Sequence, residues 1–169
     1  MQDEEWLALL INLEDLLVQE FRTCQKVLSL THDERQALAS HTPALLSALV
    51  EEKEVLLDEF TQTEDQRRAV VQKIKKNKGC LRPSTCLAGL VEELPEGASE
   101  PLNRLREGIL ALSNKIEMIT CGNRALALLA LERTRLQERE PRDQRTIYQS
   151  SLEVSQRAIS ALILFDMLS

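Results

Sequence analysis

Apolar residues return every three or four positions along most of the chain, and that spacing predicts helices throughout. From Asp3 to Leu30 they fall at Trp6, Leu10, Leu13, Leu17, Phe21, Cys24 and Leu28, one stripe on a long amphipathic helix. Asp3, Glu4 and Glu5 occupy its first turn, where negative charge complements the helix dipole. Thr31 to Ser40 is polar and reads as a short helical turn at most. Thr42 followed by Pro43 reads as an N-cap with proline at the first helical position, opening a second helix over 43–77. That helix carries Leu45, Leu46, Leu49, Val50, Val55, Leu56, Leu57 and Phe60, then a polar stretch, then Val70, Val71 and Ile74. Lys73, Lys75, Lys76 and Lys78 crowd its end, where cations suit the exposed carbonyls, and Gly79 suits a C-terminal cap.

Between Gly79 and Pro101 lie three of the five glycines and three of the five prolines, so this is the main connection, interrupted by a short helix over 84–94. The third long helix, 101–139, has the most regular seam: Leu102, Leu105, Ile109, Leu112, Ile116, Ile119, Asn123, Leu126 and Ala130. Such a seam packs along its length against partners in a bundle or coiled coil. Asn123 is its one polar member, which either fixes register or marks an open bundle end. Pro141 closes this helix. Residues 141–150, with the only tyrosine, Tyr148, read as a polar linker. Ser150 and Glu153 have capping-box spacing and open a C-terminal helix over 151–169 whose last turns, Ala161 to Phe165, are apolar all round. The fold expected is all-α: an elongated antiparallel bundle or coiled-coil hairpin of three long helices over 1–140, plus a C-terminal amphipathic helix.

Composition supports this picture. Thirty-one leucines stand against five aromatics and five glycines, which suits helices packed on helices and not a β fold. A net charge of −6 and a pI near 5.1 argue against nucleic-acid binding, which needs clustered Lys and Arg. The basic run Lys73 to Arg82 lacks interleaved aromatics on which bases would stack. The N-terminus is acidic where a targeting peptide would be basic, and the apolar stretch Ala158 to Leu168 is too short to span a bilayer, so a cytoplasmic protein without membrane insertion is expected. Cys24, Cys80, Cys86 and Cys121 show no CxxC pairing.

Chemistry is hard to place on this chain. No phosphate-binding loop, dinucleotide fingerprint or zinc-protease motif occurs. His32 and His41 with Cys24 match no common zinc spacing, and the pairs Glu51-Glu52 and Glu92-Glu93 are adjacent on helices, where neighbours do not face each other. No catalytic residue, metal or cofactor is assigned. The C-terminal apolar stretch has two readings, a core helix or a segment that binds another protein's helix.

The run Glu51-Glu52-Lys53-Glu54-Val55-Leu56-Leu57, continued by Glu64 and Arg67-Arg68, resembles the signature of FlgN-type flagellar export chaperones. Leu81 to Pro95 is similar to the family's middle segment. Asn123 with Leu126 resembles the second half of its paired-asparagine element, where Thr120 stands for the first asparagine. Tyr148 sits where a Tyr-Gly segment is common, although Gln149 follows it here. The resemblance implies a non-enzymatic cytoplasmic chaperone that binds the unassembled hook-filament junction proteins FlgK and FlgL before type III export. It also implies that Tyr148 docks to the export gate FlhA and that the C-terminal region grips the substrate. Within that region Leu152, Val154, Ala158, Ile159, Ala161, Leu162, Phe165 and Leu168 are the expected contacts. A free C-terminal helix would also invite a homodimer. The competing reading is a self-associating cytosolic coiled-coil scaffold that uses the seam from Leu102 to Ala130.

Overall fold

The computed structural model describes residues 2–78, 86–136 and 142–168. Five helices follow one another: α1 (Gln2–Ala39), α2 (Pro43–Lys78), the short α3 (Leu87–Glu93), α4 (Glu96–Leu136) and α5 (Arg142–Leu168). The described part is all-α. Four of the five are long, at 38, 36, 41 and 27 residues, so the C-terminal helix is a full fourth member of the bundle and not an appendage to three.

Contacts between side chains fix the directions. Glu34 of α1 meets Lys53 of α2 while Glu20 meets Arg67, so α1 and α2 are antiparallel. Asn123 of α4 meets Thr31 while Arg133 meets His41, so α4 runs parallel to α1. Arg157 of α5 reaches Asp58, and Phe165 lies beside Arg67, so α5 runs parallel to α2. With α1 and α5 each packed on both α2 and α4, the two hairpins close a ring of four helices around one core. Leu13, Leu17, Leu46, Leu57, Phe60, Ile74, Ile109, Ile116 and Phe165 are among its fully enclosed members. The short α3 and its C-cap insert Leu87, Leu90 and Leu94 beside α4 and α2.

Three elements depart from the expected ones, each for a local reason. α1 does not stop at Leu30 but continues through the polar segment to Ala39. Thr31, Glu34 and Leu38 are buried and prolong the inward stripe of Cys24 and Val27, with polar residues filling two of its places. α4 begins at Glu96, five residues before Pro101, which the first turns accommodate at the loss of one backbone donor. α5 begins at Arg142, so residues 142–150 are helix and not linker, and Ser150 lies mid-helix, where it cannot act as a cap. Gly79, Cys80 and Pro141 lie outside the described residues, as do the side chains of Asp3, Lys78 and Leu168.

Candidate partner-binding site

The seat of α5 contains two charged layers inside a mainly apolar bundle. In the first, Glu34 of α1 accepts hydrogen bonds from Lys53 Nζ of α2 at 2.8 Å, Asn123 Nδ2 of α4 at 3.3 Å and Ser151 Oγ of α5 at 2.7 Å. One carboxylate thus ties all four long helices together. Asn123 Nδ2 also donates to the Thr31 carbonyl at 2.8 Å, and every member of the layer is buried. Charges so enclosed are tolerated only when paired and hydrogen-bonded.

The second layer lies nearer the other end. Arg67 Nε donates to Glu20 Oε1 at 3.0 Å, Arg67 Nη2 lies 3.7 Å from Glu64 Oε1, and Arg68 Nη2 donates to the same Glu64 oxygen at 2.6 Å. The Arg67 guanidinium carbon sits 4.9 Å from the centre of the Phe165 ring, a cation–π contact between α2 and α5, and Phe60 tilts against that ring at 6.1 Å. Burial pushes the Glu20 carboxyl up to about 7 despite the attraction of Arg67. The folded protein therefore holds this proton more tightly than the unfolded chain, a contribution complete below about pH 4.5 and lost as pH rises through about 7. The unfolding free energy of Glu20→Gln minus that of the parent is expected to grow across this window by up to about 3 kcal/mol, checked by urea titration at successive pH values. A constant difference would contradict the assignment. The neighbouring Cys24 thiol is pushed up to about 12 by burial and by Glu20, which makes it inert.

α5 presents two faces. Tyr148, Ser151, Val154, Ser155, Ala158, Leu162 and Phe165 form the inward stripe and are buried, as is Ile159. Leu152 and Ala161 are half-buried. The C-terminal residues expected to grip a partner are therefore, in the folded chain, mostly the residues that seat the helix. The surplus apolar surface lies elsewhere: Ile163, Leu164 and Met167, out of phase with that stripe, are 45%, 42% and 73% exposed. Apolarity alone could not identify them. The 3–4 spacing from Tyr148 to Phe165 would have done so, because it leaves these three positions outside.

Tyr148 is not on a linker; its ring is enclosed in the second turn of α5, lining a cleft with His41, Pro43, Ala130, Arg133, Thr134 and Gln144. His32 is exposed on α1, about 12 Å along the helix from buried Cys24, and no group of three metal-binding side chains converges among the described residues. The seam proposed for self-assembly packs within the bundle: Leu102, Ile109, Ile116, Asn123 and Ala130 are buried. On the outside of α4, Met118, Leu128, Leu129 and Leu136 stay exposed. Among the described residues no helix is long and apolar enough to cross a membrane.

The residues that carry the family signature now have places. Lys53, Glu64 and Arg67 belong to the two interior layers, Leu56 and Leu57 to the core between them, and Thr120 and Asn123 to the buried face of α4, whereas Glu51 and Glu52 are exposed. A family model described as FlgN protein matches residues 1–150, most of the chain, and ends within α5. No curated protein and no solved structure matches the chain. By this match, over a span that includes both layers' signature residues, the chain belongs to the FlgN protein family, a family of flagellar export chaperones and not of enzymes.

Proposed function

We propose that the chain is a cytoplasmic type III export chaperone that binds unassembled FlgK and FlgL, shields an amphipathic helix of each, and delivers them to the export apparatus through FlhA. The observation that carries the placement of the grip is the exposed apolar patch Ile163, Leu164 and Met167 on the outer face of a firmly seated α5. Two routes could let α5 hold a substrate helix, and their costs differ. Turning its inner face toward the partner would expose Val154, Ile159, Leu162 and Phe165. At roughly 1.5–3 kcal/mol for each such side chain, that forfeits about 6–12 kcal/mol. A whole domain is stable by only about 5–15 kcal/mol, so release of α5 amounts to unfolding. Docking on the outer face needs no such expense. The buried residues named above, from Val154 to Phe165, then support binding by holding α5 in place, and Leu152 and Ala161 border the contact.

A partner helix laid on this patch in the helix-in-groove manner has its own apolar face covered, which prevents premature self-association. Binding acts by mass action, lowering the free concentration of the unassembled subunit. Docking to FlhA is assigned to the end of the bundle around Tyr148, whose enclosed ring positions the surrounding cleft. The competing scaffold reading has lost its seam to the core, and a homodimer built on α4 would have to use that helix's outer face. Co-purification tests the function: a stoichiometric complex with FlgK or FlgL is expected. A chain that forms homo-oligomers and ignores both proteins would be a scaffold.

A further inference from the structure

We infer that the cleft at the α1–α2 turn is a carboxylate-binding site that takes an acidic residue from an amphipathic segment of a protein partner. It concerns the same end of the bundle as the docking role given to Tyr148 and rests on that reading only for which protein carries the carboxylate.

The turn itself supplies the first observation. α1 ends in a Schellman motif: Thr42 N donates to the Ala37 carbonyl at 3.0 Å and His41 N to the Leu38 carbonyl at 3.3 Å. The left-handed residue of that motif is commonly glycine, because a Cβ is penalised there. Here it is His41, at φ 53°. An imidazole is held where the backbone would favour no side chain, the kind of local cost that accompanies a functional group.

The second observation is what the imidazole faces. Arg133 Nη1 of α4 donates to His41 Nε2 at 3.4 Å, so the imidazole accepts and holds the guanidinium at the cleft that both residues line. Among the described residues Arg133 has no carboxylate partner; the nearby Glu132 pairs instead with Arg135. Arg145, one turn before Tyr148 on α5, donates Nη2 to the Thr134 carbonyl at 3.2 Å, while its buried Nε has no partner. Among the described residues no carboxylate pairs with Arg133 or Arg145, and two guanidiniums so placed in a chain of net charge −6 fit a carboxylate, which a guanidinium binds through paired donors.

The third observation selects a protein side chain over a free anion. Leu129 and Leu136 flank Arg133 on the same face of α4, four residues before and three after, and are 68% and 79% exposed. A segment bearing a carboxylate between apolar residues satisfies both parts of this surface. Inorganic phosphate satisfies only one.

The test is a nuclear magnetic resonance titration of the full chain with a short capped peptide of alanine, leucine and glutamate. Its glutamine counterpart and inorganic phosphate serve as comparison probes. Saturable amide shifts at Ala130 to Thr134 and Gln144 to Tyr148 are expected with the acidic peptide, and binding roughly tenfold or more weaker for the glutamine peptide and for Arg133→Gln. His41→Gly is the sharper variant: it is expected to raise the melting temperature by relieving the turn while weakening peptide binding, a combination that a purely structural histidine cannot give. Equal binding of the glutamine peptide, equal shifts from phosphate at the same concentration, or unchanged affinity in Arg133→Gln would overturn the inference. Loss of peptide binding in Arg133→Gln with FlhA binding intact would support the site and remove FlhA as its ligand.

Discussion

Lys53→Met is expected to destabilise the protein by about 3–5 kcal/mol, the largest single effect foreseen for a residue outside the apolar core. The side chains are similar in length, so the loss is electrostatic. Lys53 supplies the positive charge opposite Glu34, and both are about 1% exposed. Without it the Glu34 carboxylate stays buried with only the Asn123 and Ser151 dipoles to hold it. Either it takes up a proton or water enters the layer, and both weaken the junction of four helices. The double variant Lys53→Met/Glu34→Gln is expected to recover much of the loss, since a neutral amide leaves no uncompensated charge. Chemical denaturation of the parent, both single variants and the double variant closes the cycle. A double variant that loses the sum of the two singles would mean that the pair does not act as a unit.

The second large effect is on binding and not on folding. Leu164→Asp combined with Met167→Asp is expected to reduce affinity for FlgK and FlgL by about two orders of magnitude, as for central apolar residues at an interface. Both side chains point to solvent in the free chain, so the melting temperature should move by little. Phe165→Ala is the counterpart. It empties a fully enclosed site, removes the ring stacked under Arg67, and should cost about 3–5 kcal/mol. If Phe165→Ala abolished binding at full stability while the aspartate pair bound normally, the gripping face would be the inner one. Calorimetric titration alongside thermal melts separates the two.

The sequence showed most of the architecture because apolar residues keep the helical period wherever they line the core. It misled where polar or small residues do that lining. Thr31 and Glu34 hid the last quarter of α1, since a carboxylate at a core position looks like solvated charge until Lys53, Asn123 and Ser151 are seen around it. The same happened at the start of α5, where Arg142 to Gln149 reads as linker although Tyr148 and Ser151 face inward. The polar family signature was legible as a pattern. That Lys53, Glu64 and Arg67 point into the bundle was not, because nothing along a single helix says which charge will find a partner on another. For the site, the apolar surplus near the C-terminus was visible, but composition could not say which face of α5 held it. The cleft at His41 was invisible, because it joins the α1–α2 turn to parts of α4 and α5 that follow some ninety or more residues later in the sequence.

Amide hydrogen exchange across α5, measured on the free chain and on its complex with FlgK, tests the central claim most directly. A substrate helix docked on the outer face of a seated α5 leaves Val154 to Phe165 protected in the free chain and slows their exchange further in the complex. Faster exchange of these amides on binding would show that α5 leaves the bundle to hold its partner, and would contradict the account.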